Sequence, residues 1–435
     1  MCIANARDDT SCVDGNTGVD GNTGVDGNRA SKGVEACTST SASNHAIVGV
    51  VPIVNLSPCR LASREGMEAA ASEVRKACHE IGFFYASGRN VEHEASVSLI
   101  IRAREFFALP AADKEKIRMS KTDKKLDSSS RRQCNPIETN SGDTGRDDLK
   151  ALGRFVPRGY FGIGQEYLDH EDDFESNGAP TRSDGEGRIT SAKLLSEGTR
   201  SSGDLKEGFD VGACRIPTSI EEENKWPEFV QTSTGRASGE VFRESAVHYS
   251  NLMLNFSQSL LQIFGIASDT PRDTFFVDNS TTPVATLRIL HYPGKSHEDS
   301  KTTSTGVDLA CGAHSDYGLC TILCDGGAPG LQVLPPGKAD WVDVPPIPGT
   351  FIINTGAMMH RWTDGKLQNT IHRVVHHAGV KNRISIPFFL NPSPSAVIEP
   401  IRSDSNTVES QGQRSETCAN IIARRYLQSG LASNS

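Results

Sequence analysis

Three residues in the second half of the chain have the types and spacing to hold a metal ion. His314 and Asp316 flank Ser315 in the run Gly312-Ala313-His314-Ser315-Asp316. On a strand, positions i and i+2 point to the same face, so this imidazole and this carboxylate converge. His372, in Thr370-Ile371-His372-Arg373-Val374, supplies a second imidazole from a separate strand-like run. Two histidines and one carboxylate are the facial set that suits mononuclear non-haem Fe(II), with three coordination positions left open. Activation of O2 needs those open positions, because the gas and a co-substrate must both reach the metal. A His-x-Asp pair alone arises often by chance, so its weight comes from its surroundings.

The next such feature is Arg383-Ile384-Ser385. The same two-residue period puts a guanidinium beside a hydroxyl. An arginine inside an otherwise apolar strand (Ile384, Ile386, Phe388) needs an anionic partner, since a buried unpaired charge is costly. Its planar fork matches a carboxylate. That carboxylate belongs either to an internal Asp or Glu or to a bound ligand.

These residues sit in a strand-rich half. From Val284 the hydrophobic period changes from helical to alternating. Short runs follow at 285–292, 311–316, 319–324, 331–335, 341–344, 350–354, 370–376 and 384–390, punctuated by Gly and Pro. About eight such strands predict a jelly roll. The earlier half is mixed. Ile47 to Leu56, with Pro52 inside it, reads as an edge strand. Met67 to Ile81 reads as a helix with Met67, Ala71, Val74 and Cys78 on one face, and Gly82-Phe83-Phe84-Tyr85 as a buried strand. A second helix, with Val97, Ile100, Ala103 and Phe107 on its apolar stripe, ends before Pro110. Val241 to Ile266 is a long amphipathic helix, and another surrounds Ile421 to Leu427. The fold class expected is α+β, mainly β: a double-stranded β-helix (jelly-roll) core with flanking N-terminal helices and a C-terminal helix.

Three parts are expected. Residues 1–45 form a disordered, low-complexity tail carrying the repeat Val13-Asp14-Gly15-Asn16-Thr17-Gly18. Residues 46–283 form a helical and strand region, and 284–435 the jelly roll with its C-terminal helix. Polar stretches at 117–153, 166–205 and 294–309 read as loop insertions. The repeat opens like a calcium loop at Asp14-x-Asn16, but Val25 stands where the twelfth-position carboxylate belongs, which argues against calcium.

Only 36% of residues are hydrophobic, so part of the length lies outside a packed core. The net charge of −9, with no long basic stretch, excludes a phosphate-tracking surface and makes nucleic acid an unexpected partner. The 11 cysteines are odd in number and include no Cys-x-x-Cys pair, which fits reduced thiols in the cytoplasm. No apolar run approaches a membrane span, and the first residues show no targeting pattern.

Taken in order, the segments from about 46 to 430 resemble the isopenicillin N synthase-like branch of the 2-oxoglutarate- and Fe(II)-dependent dioxygenases. The matching runs are Val51-Pro52-Ile53-Val54-Asn55-Leu56, Gly82-Phe83-Phe84-Tyr85, the helix from Ala103 to Lys116, and Lys206-Glu207-Gly208-Phe209-Asp210. They continue with Leu287-Arg288-Ile289-Leu290-His291-Tyr292-Pro293, His314-x-Asp316, Trp341-Val342-Asp343-Val344, Pro348-Gly349-Thr350-Phe351, Asn354-x-Gly356, His372-Arg373-Val374 and Arg383-x-Ser385. The chain departs from the plant pattern at Gly88-Arg89-Asn90, where Asn-His-Gly is usual, and at Leu290, where Asn is usual.

The resemblance implies that His314, Asp316 and His372 ligate Fe(II). It implies that Arg383 and Ser385 hold the distal carboxylate of the co-substrate 2-oxoglutarate, and that Tyr292 faces it from a neighbouring strand. A core tyrosine with a satisfied hydroxyl is the plain alternative for Tyr292. His360 is expected to be a pocket or packing residue. The implied activity is oxidation, in the first place hydroxylation, of a small organic metabolite by a monomeric enzyme that releases succinate and CO2. An oxidase or cyclase of the isopenicillin N synthase or aminocyclopropane-carboxylate oxidase type, independent of 2-oxoglutarate and in some cases assisted by ascorbate, is the alternative within the fold. A non-catalytic jelly-roll sensor is the alternative outside enzymology. Substrate choice is expected to lie in Arg158 to Gly162, Phe209 to Gly212, the 294–309 loop and the C-terminal helix.

Overall fold

The structure, a computed structural model, describes residues 47–48, 50–119, 158–166, 168, 204–212, 224–232, 235–294, 309–377, 380, 382–401 and 416–429. The repeat-bearing tail and most of the three polar stretches lie outside the described residues. Those described belong to one compact unit, Ser43–Ser435. None of their helices is long and apolar enough to cross a membrane.

The first half contributes β1 (Ile47–Val48), β2 (Val51–Asn55), β3 (Phe83–Ser87), β4 (Gly159–Phe161), β5 (Glu207–Gly212), β6 (Phe229–Thr232) and β7 (Gly235–Ser238). Among these run α1 (Pro58–Leu61), α2 (Arg64–Glu80), α3 (Asn90–Phe107) and α4 (Ala111–Glu115), and after them α5 (Gly239–Ala267) and α6 (Phe275–Asp278). The second half contributes β8 (Val284–Pro293), β9 (Leu309–His314), β10 (Cys320–Cys324), β11 (Leu331–Leu334), β12 (Val342–Asp343), β13 (Phe351–Thr355), β14 (Ile371–Val375) and β15 (Asn382–Asn391). The helices α7 (Ala357–Trp362) and α8 (Cys418–Gln428) complete it. All eight strands expected after residue 284 form.

A nine-stranded sheet runs β1-β2-β3-β13-β10-β15-β8-β5-β4, and a four-stranded sheet β12-β11-β14-β9. Strands from both sides of residue 284 therefore share the large sheet. The helices α2, α3 and α5 pack together, and α3 and α5 also lie on β15. Alternation decides what each strand does. Leu287 and Ile289 of β8, Ile322 of β10, and Ile384, Ile386 and Phe388 of β15 enter the main core. Each such side chain contributes about 1.5–3 kcal/mol by leaving water. The intervening side chains of the same strands point the other way, into a cavity bordered by both sheets.

Two expectations need correction. Ile47 to Leu56 is not one edge strand. It is split into an antiparallel hairpin in which β1 takes the edge, and β2, with Pro52 opposite Ile47, pairs in parallel with β3. The buried face of α3 is also wider than the stripe expected and leaves out one of its residues. Ile100, Ala103 and Phe107 of that stripe are buried, together with Ser96, Leu99 and Phe106, but Val97 is 44% exposed. The helix is apolar on more than one side, so its period alone does not fix which side meets α5.

Gly82 joins α2 to β3 with φ +76°, and a Cβ there would lie 2.6 Å from the Gln368 carbonyl and 2.7 Å from Thr370 Oγ1. Thr370 is bonded to the Ile81 carbonyl, and the Gly82 carbonyl accepts from Thr355 N at 3.1 Å. The glycine thus sets the chain leading into β14. Gly82→Ala is expected to lower stability by about 2 kcal/mol or more, from the left-handed backbone and the close contacts together. Denaturant unfolding checks this, and an unchanged midpoint would contradict it.

Candidate metal centre and co-substrate pocket

The sheet register brings the three expected ligands together. In the β9–β14 pair, His372 lies directly opposite His314, and their rings are 4.3 Å apart between centroids. Asp316, just beyond β9, reaches the same point, with Oδ1 3.9 Å from His372 Nε2. One ligand atom from each of the three lies within 4.8 Å of the others. Asp316 and His372 are buried and His314 is half-buried. The register of β14 on β9 shifts just after His372. Irregularities of this kind re-aim side chains next to active sites.

Hydrogen bonds prepare the donors. His314 Nδ1 lies 2.8 Å from the Gly312 carbonyl and His372 Nδ1 3.1 Å from the Thr370 carbonyl. A carbonyl only accepts, so each Nδ1 carries the proton and each Nε2 keeps its lone pair for a metal. Burial, and then the neighbouring His314 ring, push the His372 imidazole down to about 4, so it is neutral at neutral pH. Burial alone would raise the Asp316 carboxyl. The two imidazoles and the bonds from Asn354 and Thr321 outweigh it and hold the group below the ordinary range. Asp316 Oδ2 accepts from Asn354 Nδ2 at 2.7 Å and from Thr321 Oγ1. Phe83 packs edge-on against the His372 ring at 5.4 Å. Two imidazoles whose Nδ1 atoms are bonded to carbonyls, and a carboxylate with one oxygen already anchored, fit Fe(II).

The residues expected to hold the co-substrate border the same cavity, which encloses about 560 Å3 of empty space including its mouth. Arg383 and Ser385 of β15 and Tyr292 of β8 all line it. Arg383 pairs in register with Tyr292, and its guanidinium lies 5.0 Å from the centre of the Tyr292 ring. Arg383 is 4% exposed, and its Nη1 has no hydrogen-bond partner among the described residues. No carboxylate among them forms an ion pair with it, so the internal partner that the sequence left open is absent there. A buried, orphaned guanidinium nitrogen fits the carboxylate of a ligand such as 2-oxoglutarate. Burial pushes the Tyr292 phenol up, so its hydroxyl keeps a proton to donate.

Other singled-out residues stand apart. His360 does not border the cavity. Its Nδ1 bonds the Leu367 carbonyl at 2.7 Å, so its role is packing. Arg89, at the departure from the plant pattern, is buried against Glu92 and over the Phe256 ring. Leu290, the other departure, is an apolar wall of the cavity.

A cluster of buried charge also borders the cavity, with no signature of its own in the sequence pattern. Arg288 gives Nε and Nη2 to Asp210, both at 2.8 Å, and Nη1 to Glu166 at 2.6 Å. Lys206 Nζ lies 2.6 Å from Asp204 and 2.9 Å from Glu166. Burial would lower Lys206 and Arg288, but the facing carboxylates hold both well above their ordinary values. Glu166 and Asp204 lie at the two ends of a stretch read as loop. The only available signal was the two-residue period of β8, which puts Arg288 on the face of Leu290 and Tyr292.

Residues 283–392 match the family model of the 2OG-Fe(II) oxygenase superfamily, and residues 51–155 match that of the non-haem dioxygenase in morphine synthesis N-terminal region. The chain is 26% identical over 383 residues to the 2-oxoglutarate-Fe(II) type oxidoreductase hxnY of Emericella nidulans, covering 87% of this chain and 90% of that protein. It is also 26% identical to a 1-aminocyclopropane-1-carboxylate oxidase of Dictyostelium mucoroides, covering 80% and 83%. Among solved structures, a full-length Neurospora crassa protein in complex with alpha-KG and thymine superposes with a TM-score of 0.62 at 18% identity, covering 88% of this chain and 99% of that one. That likeness shows the shared jelly-roll fold. With its jelly-roll core, its clustered donor set and these matches, the chain belongs to the 2-oxoglutarate/Fe(II) oxygenase superfamily and is an Fe(II)- and 2-oxoglutarate-dependent dioxygenase.

Proposed function

We propose that His314, Asp316 and His372 hold the Fe(II), that Arg383 and Ser385 hold the distal carboxylate of 2-oxoglutarate, and that Tyr292 hydrogen-bonds to it. The chain then hydroxylates a small organic metabolite in the same cavity, with release of succinate and CO2. The observation that carries this reading is the orphaned Nη1 of Arg383 in the cavity that the three metal donors also border. When bound, the metal supplies O2 activation coupled to decarboxylation of the co-substrate. The chain supplies the rest. Asn354 and Thr321 fix the Asp316 carboxylate, and the two carbonyl-bound Nδ1 protons fix the imidazoles. Leu290, Pro387 and Phe389 exclude water around the reacting groups. We read the enzyme as a cytoplasmic monomer acting on freely diffusing molecules, with no nucleic-acid partner, in keeping with its net charge of −9.

Similarity to an aminocyclopropane-carboxylate oxidase keeps a second reading in play, in which Arg383 holds the prime substrate's own carboxylate. Kinetics of Arg383→Lys separate the two. Lysine keeps the charge and loses the fork. Loss of one charge-assisted bond, about 1.5–3 kcal/mol, is expected to raise the KM for 2-oxoglutarate roughly ten- to a hundredfold and to leave Fe(II) binding intact. An unchanged KM for 2-oxoglutarate, or product formation without it, would support the second reading instead.

Asn354→Ala probes the support of the metal. Loss of its bond to Asp316 is expected to weaken Fe(II) affinity about ten- to a hundredfold while the fold is kept. Anaerobic metal titration with circular dichroism measures both. Unchanged affinity would mean that Thr321 alone positions the carboxylate.

A further inference from the structure

β8 sends Arg288, Leu290 and Tyr292 into the cavity at alternate positions. Tyr292 stands at one end beside Arg383. Arg288 stands about 13 Å away along the strand, at roughly 3.3 Å per residue. One wall of the cavity thus carries a guanidinium near each end, with apolar Leu290 between them. The Arg383 end has its ligand in the reading above, on which this inference rests. The Arg288 end has none.

Arg288 is held still. Asp210 and Glu166 take three of its five N–H groups. The Phe161 and Phe389 rings lie 5.1 and 5.7 Å from its central carbon. Gly208 makes this possible, since a methyl group there would collide with the Phe161 ring. A purely structural role has a weakness. Apolar side chains of similar volume would stabilise the interior as well as buried ion pairs do, or better. The arrangement is also one-sided: Arg288 and Lys206 border the cavity, whereas Glu166, Asp204 and Asp210 do not.

We propose that Arg288 recognises the prime substrate through a carboxylate or carbonyl oxygen on a small, otherwise apolar molecule. Leu168, Leu290 and Phe389 supply the apolar contact. The cluster contains two cations and three carboxylates, so it exerts little long-range pull on an anion. Selection comes from short-range N–H donation, which favours a carboxylate, accepts a carbonyl and disfavours an ammonium group.

The test titrates anaerobic protein, loaded with Fe(II) and saturating 2-oxoglutarate, with benzoate, benzamide and benzylamine in a calorimeter. Benzoate is expected to bind tightest, benzamide more weakly, and benzylamine not at all. Arg288→Gln is expected to weaken benzoate at least tenfold and 2-oxoglutarate less than threefold. Arg288→Lys keeps the charge beside Asp210 and Glu166, and reads the same loss if the Gln variant fails to fold. Benzylamine binding as tightly as benzoate, no benzoate binding by the wild type, or full benzoate affinity in a folded Arg288 variant would each overturn the proposal. So would loss of benzoate on Arg383→Gln rather than on Arg288→Gln. Failure of the co-substrate reading shows separately, as no 2-oxoglutarate binding in a titration without the three probes.

Discussion

The pairing of β14 with β9 is the constraint on which the site depends. It sets His372 opposite His314 across two strands. Because side chains alternate along a strand, a slip of one residue would turn His372 to the other face and dissolve the donor set. Much of the surrounding structure holds that register. Thr370, two residues before His372, is tied to Ile81 at the end of α2, and Asn369 Nδ2 donates to Ser315, between His314 and Asp316, at 3.1 Å. β11 flanks β14 on its other side, with Val333 opposite His372.

Around that centre, buried polar groups divide into two kinds. Asp316 has its needs met within the chain by Asn354 and Thr321, which leaves its other oxygen directed at the two imidazoles. Arg383 does not. An unsatisfied buried donor costs about 1–3 kcal/mol, a cost that a bound carboxylate would remove. The fold bears it because β15, which carries Arg383, is otherwise among the best anchored strands. Ile384, Ile386, Phe388 and Leu390 are each at most 1% exposed.

Much of this was legible before the structure, for a physical reason. A strand with one face on helices and the other on a cavity keeps a strict period of two, so Arg383-x-Ser385 announced its strand and its shared face, while His314-x-Asp316 announced a converging pair although Asp316 lies just beyond β9. The period failed where burial is not one-sided: α3 is apolar on more than one side, so Val97 was assigned inward although it is 44% exposed. The charge cluster was illegible for another reason. Glu166 and Asp204 sit in polar runs that look like solvated loop, and their partners Lys206 and Arg288 are chosen by sheet order. β5, which follows Lys206, lies next to β8, although about 75 residues separate them in sequence.

The central claim is that three side chains, brought together by the β9–β14 ladder, hold one Fe(II). Anaerobic Fe(II) titration of the wild type and of the His314→Ala/Asp316→Ala double variant, with bound metal quantified after desalting, tests it most directly. One Fe(II) per wild-type chain, and none retained by the double variant at unchanged secondary structure, is the expected result, since a single remaining imidazole is too weak a site. Full iron occupancy in the double variant would contradict it.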